Sequence, residues 1–174
     1  MEENNKNTCV IPGTFDPVTN GHMDLIIRAL PLFGRIYVVS FENSMKNPLF
    51  APEERKKMLE LACGDIGGGE KITVEATGTL LADYARSKGA RFIVKGARNS
   101  ADYEYEYMLS VINREIGDGI DTLIIPSKPE HSHISSAFVR EMIAYGKDIA
   151  NFMPEKARLY AQEILKDKNL KRTM

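Results

Sequence analysis

The sequence predicts an α/β fold: one doubly wound domain with a five-stranded parallel sheet of order 3-2-1-4-5, helices on both faces and further helices at the C-terminal end. Three observations predict it. The chain has 174 residues, enough for one well-buried core and too few for two comfortable domains. Five short β-branched runs recur along it, nearly continuous in apolar character, as strands buried on both faces require. Between them lie segments whose apolar residues return at helical spacing, and strict alternation of strand and helix calls for right-handed crossovers and a parallel sheet.

The first strand is Cys9-Val10-Ile11. Pro12-Gly13-Thr14-Phe15-Asp16-Pro17 then turns the chain into a helix opening at Thr19-Asn20-Gly21-His22. Gly13 permits the tight turn, Pro12 and Pro17 stiffen it, and Thr19 or Asn20 caps the helix, whose apolar stripe is Met23, Ile26, Ile27 and Leu30. Ile36-Tyr37-Val38-Val39 is the second strand, and Met58, Leu59 and Ala62 mark the helix after it. Gly67-Gly68-Gly69 is a helix stop and turn, because a Walker loop needs Gly-Lys-Ser/Thr opening a helix, whereas this run passes through Glu70-Lys71 into the strand Ile72-Thr73-Val74. Leu80, Leu81, Tyr84 and Ala85 stripe the third helix, and Phe92-Ile93-Val94 is the fourth strand. Tyr103, Tyr107, Met108 and Val111 mark a fourth helix, capped by Asn99 or Ser100 with Asp102 in its first turn. After the strand Leu123-Ile124-Ile125, Phe138, Val139, Met142 and Ile143 line a helix that stops near Gly146. Pro154 starts the last helix, which runs out in Lys166-Asp167-Lys168. Residues 1–7 read as a polar tail and 167–174 as a frayed one.

Hydrophobic residues make up 43% and charged residues 27%, with a net charge of −1, so nothing draws the whole molecule toward nucleic acid or membrane and any basic site must be local. No apolar run reaches the length of a membrane span, and the first seven residues are too polar and acidic for a secretory signal, which predicts a cytoplasmic protein. Cys9 and Cys63 have neither CxxC spacing nor a disulfide framework and are expected as buried thiols. His131-Ser132-His133 can set two imidazoles on one side of an extended segment, but only Glu130 stands near to complete a zinc shell, so no metal site is expected there.

In a doubly wound sheet the ligand crevice lies beyond the strand ends where the order reverses, here between strands 1 and 4. Strand 1 is followed by Thr14 and His22, strand 4 by Lys95-Gly96-Ala97-Arg98, strand 2 by Lys46, and strand 5 by Ser135-Ser136 opening a helix. Each alone has an ordinary explanation as a loop lysine, a solvated charge or a helix cap. In the order 2-1-4-5, however, these loops line one edge, and helix starts with unpaired N–H groups add donors for phosphate. That combination predicts a polyphosphate site. No Ser-His-Asp or Cys-His arrangement accompanies it. Attack by one phosphate on the α-phosphorus of a nucleotide, expelling pyrophosphate, needs neither; it needs in-line placement and neutralisation of spreading charge. A nucleotide-binding sensor on the same scaffold is the alternative, although a sensor has no need of a transition-state donor.

Residues 12–22 together with Ile134-Ser135-Ser136 and Arg140 resemble the nucleotidyltransferase superfamily with its (H/T)xGH and ISSxxxR-type signatures. More narrowly, Lys46-Asn47-Pro48-Leu49-Phe50, Lys95-Gly96-Ala97-Arg98 and Asp102-Tyr103-Glu104-Tyr105-Glu106 resemble the bacterial phosphopantetheine adenylyltransferases, from about Cys9 to the helix after Pro154. The resemblance implies a Rossmann-like domain that moves AMP from ATP to 4′-phosphopantetheine, giving dephospho-coenzyme A and pyrophosphate. It also implies Mg²⁺ carried mainly by the nucleotide, coenzyme A as a feedback ligand, and a cytoplasmic homohexamer. A different phosphate acceptor on the same fold is the nearest rival among enzymes. By position, His22 matches the transition-state donor, acting with Thr14, Lys46 and Arg98 and without a general base. Thr14 matches the residue between the α-phosphate and the incoming phosphate, Lys46 and Lys95 match groups that hold the pantetheine phosphate, and Leu81 matches a contact to the pantetheine arm. ATP-binding positions are matched by Thr14, Phe15, His22, Gly96, Ala97, Arg98, Glu106, His131, Ser132, His133, Ile134, Ser135, Ser136 and Ala137. Members often carry arginine where Lys95 stands, an aromatic at His133 and a third serine at Ala137.

Overall fold

The computed structural model describes residues 7–42 and 47–172. Its elements are β1 (Thr8–Gly13), α1 (Asn20–Ala29), β2 (Arg35–Phe41), α2 (Pro52–Cys63), β3 (Ile72–Thr77), α3 (Leu81–Ser87), β4 (Phe92–Ala97), α4 (Ser100–Ile116), β5 (Asp121–Pro126), α5 (Ser136–Ala144) and α6 (Glu155–Arg172). The five strands are parallel in the order β3-β2-β1-β4-β5. Successive residues of a strand point to opposite faces, and both faces are apolar. Cys9, Ile11, Ile36 and Val38 enter one core with residues of α1, α2 and α6, while Val10, Tyr37 and Val39 enter the other with Tyr84 and Ala85 of α3. That double burial explains the continuous apolar runs. Burial also pushes the Cys9 thiol up to about 12 and that of Cys63 up to about 11, so both are inert packing groups.

The sheet splits where the order reverses. β1 stays in register with β2 from Thr8↔Arg35 to Gly13↔Ser40, but its pairing with β4 comprises only Cys9↔Phe92 and Val10↔Ile93. Pro12, which has no N–H to give, stands just past the last β4 pair. The two strand ends diverge and leave a crevice between them.

Two expectations are corrected, in α1 and in α6. Ile27, assigned to the apolar stripe of α1, is 46% exposed; Met23 and Ile26 carry the contact with the core. α4 forms where Tyr103, Tyr107, Met108 and Val111 mark it, with Asn99 as its cap, but each of these four residues is more than half exposed and no α4 residue is buried. α4 lies over β4 and the edge strand β5, so little protein stands beside it to cover its apolar flank. Finally, α6 does not run out near Lys168 but continues to Arg172. Lys168 ties it down by donating to the Leu49 carbonyl at 3.2 Å and to Glu54 at 2.7 Å.

Candidate active site

The turn after β1 builds one wall of the crevice. Phe15 sits at φ +47°, a backbone region costly for a bulky residue, and is held there by burial, with its ring against Gly13 and edge-on to the His22 imidazole at 4.9 Å. A Cβ on residue 13 would meet that ring at 2.9 Å, so any larger residue there would have to displace the buried ring. The turn then presents the start of α1, where Thr19 is the N-cap. Its side chain accepts the His22 N–H, and the Thr19 N–H donates to Nδ1 of His22 at 3.0 Å. This reciprocal cap has a chemical consequence. With Nδ1 committed as an acceptor, the neutral ring carries its proton on Nε2 and is a donor. Desolvation lowers the His22 pKa to about 4, with the Arg98 and Lys95 cations adding to the shift, so near neutral pH the ring is an uncharged donor.

β4 and the residue after it contribute the cations. Lys95 Nζ pairs with Glu106 Oε1 at 3.0 Å, while the other Glu106 oxygen is buried without a partner among the described residues. Arg98 donates from Nε to Asp102 at 2.8 Å, and its backbone N–H donates to the same carboxylate oxygen at 3.1 Å. Hydrogen bonding from the Arg98 side chain holds the Asp102 carboxyl below its ordinary value. At the base of the crevice Asp24 pairs with Lys128 at 2.9 Å and Arg28 at 3.4 Å; burial alone would raise its pKa, but these cations outweigh burial and lower it. The start of α5 closes the far side. Ser135 caps it by accepting from the Phe138 N–H at 3.0 Å, and the Ser136 hydroxyl donates to the Pro17 carbonyl at 2.8 Å, fastening α5 to the β1–α1 turn.

The resulting cavity has a volume of about 370 Å³ and is lined from β1, α1, β4, α4 and the approach to α5. It brings together Phe15, His22, Lys95, Gly96, Arg98, Glu106, His131, Ile134, Ser135 and Ser136, all singled out in the sequence. Thr14 and Ala97 flank lining residues without being on the wall themselves. Ser132, His133 and Ala137 are exposed beyond the rim, and Leu81 opens α3 and packs against the second core. Lys46 lies outside the described residues. Arg140 does not enter the cavity; it donates to the Asp16 carbonyl at 2.7 Å. Tyr105, named in the sequence only within the motif around Glu106, lines the cavity, as do Asp24, Arg28 and Ser127, which no motif includes. For Asp24 and Arg28 the i, i+4 spacing of opposite charges on α1 was the available signal.

Cations, a neutral imidazole donor and two helix starts around one hollow at the switch point define a nucleotide-handling α/β protein. Comparison with known proteins narrows the class. The family described as cytidylyltransferase-like matches residues 10–142. A phosphopantetheine adenylyltransferase of Shouchella clausii is 39% identical over 146 residues, covering 84% of this chain and 90% of the relative. One from Leptospira biflexa is 38% identical over 150 residues, covering 86% and 92%. A crystal structure from Vibrio parahaemolyticus, provisionally described as a nicotinate-nucleotide adenylyltransferase, superposes with a TM-score of 0.67 over 91% of this chain and 93% of its own at 17% identity, which supports the fold. The chain belongs to the phosphopantetheine adenylyltransferase branch of the cytidylyltransferase-like family.

Proposed function

We propose that this protein transfers the adenylyl group of ATP to 4′-phosphopantetheine, releasing pyrophosphate and dephospho-coenzyme A. An oxygen of the acceptor phosphate attacks the α-phosphorus, a new P–O bond forms, and the bond to the β-phosphate oxygen breaks in line. The attacking group is already an anion, so no base is needed. The observation that carries this reading is the fixed His22 ring. Its Nε2–H is a neutral donor on the same hollow as Lys95, Arg98 and the α5 start, suited to charge that builds on the α-phosphate oxygens. Phe15, Gly96, Arg98, Glu106 and the segment from His131 to Ala137 serve the nucleotide. Thr14 stands between the reacting phosphates, Lys46 and Lys95 hold the acceptor phosphate, and Leu81 meets the pantetheine arm.

Mg²⁺ belongs to the same reading as a passenger on the triphosphate. The wall carboxylates Asp24, Asp102 and Glu106 each already face a lysine or arginine, so the donor set favours an ion brought by ATP over a protein cage. No helix among the described residues is long and apolar enough to cross a membrane. A cytoplasmic setting, feedback by coenzyme A and assembly as a homohexamer complete the proposal. Purified protein incubated with ATP and 4′-phosphopantetheine is expected to yield dephospho-coenzyme A with one pyrophosphate per turnover. Pyrophosphate release only with nicotinamide mononucleotide or glycerol 3-phosphate, with ATP or CTP as donor, would reassign the acceptor. Binding of ATP with no release for any acceptor would mark a sensor.

A further inference from the structure

Thr14, on which the proposed transfer turns, is held from behind by a side chain that neither the motifs nor the cavity wall include. Arg55 of α2 is 2% exposed, and its guanidinium donates to the Thr14 carbonyl at 2.7 Å and the Phe41 carbonyl at 3.3 Å. The Ser40 hydroxyl donates to the same Thr14 oxygen at 3.3 Å. Ion pairs on α2 use Glu54, Lys56, Lys57 and Glu60, and among the described residues none uses Arg55. Its Nε is buried with no partner among them. An unpaired guanidinium in a core is costly, and an apolar side chain of similar volume would fill the space more cheaply. The charge therefore needs a reason other than packing.

The turn supplies one. Its carbonyls at Thr14, Asp16 and Pro17 are taken by Arg55, Arg140 and Ser136, donors from α2 and α5. A turn beside a polyphosphate gains when its partly negative carbonyl oxygens are bound to donors behind it. We infer that Arg55 is a positioning residue for adenylyl transfer: it fixes Thr14, the residue proposed to stand between the two phosphates, through its carbonyl. This rests on the proposed function, and the test separates the two. A wild-type chain that makes no dephospho-coenzyme A overturns the activity itself before any variant is needed.

The test is a double-mutant cycle of Arg55→Met with Thr14→Ala, reading kcat and both KM values on chains whose folded fraction is established by thermal melts. Arg55→Met is expected to lower kcat by about 10- to 100-fold in the wild-type background, with the ATP KM held within about twofold, because misplacement of a reacting group costs rate more than binding. In the Thr14→Ala background the same change is expected to cost less than about twofold, since the group it positions is gone. An equal kcat loss in both backgrounds, or none in either, overturns the inference. Should Arg55→Met not fold, Arg55→Lys, which keeps the charge but not the guanidinium, goes through the same cycle with the same criteria.

Discussion

His22 shows how a cap becomes chemistry. The bond that closes the start of α1 also occupies Nδ1, so one contact sets both the helix boundary and the tautomer of the proposed donor. His22→Ala is expected to leave the fold and most ATP affinity intact while turnover drops on the order of 10²–10³, the usual cost of losing one such donor. Steady-state kinetics beside ATP titration measures this, and near-normal turnover would remove His22 from the mechanism. The same residue makes a pH prediction. The folded imidazole titrates near 4 and its ordinary value is 6.5, so between those values the unfolded chain holds the extra proton. Stability from this group is complete above about 6.5 and is lost as pH falls toward 4. His22→Gln preserves a capping-box residue at that position but takes up no proton. The advantage in Tm of wild type over His22→Gln should therefore shrink as pH falls through this window; a constant difference would mean the ring is not held neutral by the fold.

Among the elements, the β1–α1 turn depends on contacts from far along the chain. Asp16 is 1% exposed, and its two carboxylate oxygens accept from the Leu49 and Phe50 N–H groups, each at 2.9 Å. Asp16→Asn replaces one acceptor with an amide donor facing a buried N–H, and a loss of about 1–3 kcal/mol in urea unfolding is expected. An unchanged midpoint would mean that those N–H groups find other partners. These contacts also mark the limit of what the sequence reveals. Strand positions and order are legible because both faces of the sheet are buried, and the candidate site is legible because glycines, histidine and lysines punctuate strand ends. Arg55, Asp16 and Asp24 are not, since charged residues usually sit in water and only the folded chain shows which carbonyls and N–H groups need them. The α4 stripe misleads in the opposite sense: its periodicity is helical, but periodicity does not say whether core or another surface receives it.

For the whole molecule, that stripe is the unfinished part. Tyr103, Tyr105, Tyr107, Met108, Val111, Ile112 and Ile116 of α4 are all 40% exposed or more, and Leu123 of the adjoining edge strand is 38% exposed. Exposed apolar residues gathered on one helix and its neighbouring strand mark an interface. The occupant we propose is a second copy, in keeping with the homohexamer expected of the family. Asp102, Tyr105 and Glu106 of the same helix line the cavity, so an assembly built on α4 would stiffen the helix that carries part of the site. Sedimentation of the wild-type chain is expected to show a multiple of 19.5 kDa that reaches six copies. Met108→Glu with Val111→Glu places charge in the middle of the exposed stripe, where it is harmless to a monomer and costly in a closed apolar contact. The double variant should therefore sediment as a smaller species that still melts cooperatively, at a lower temperature than the assembly. A wild-type monomer, or an assembly indifferent to both charges, would mean that α4 faces water or a different partner.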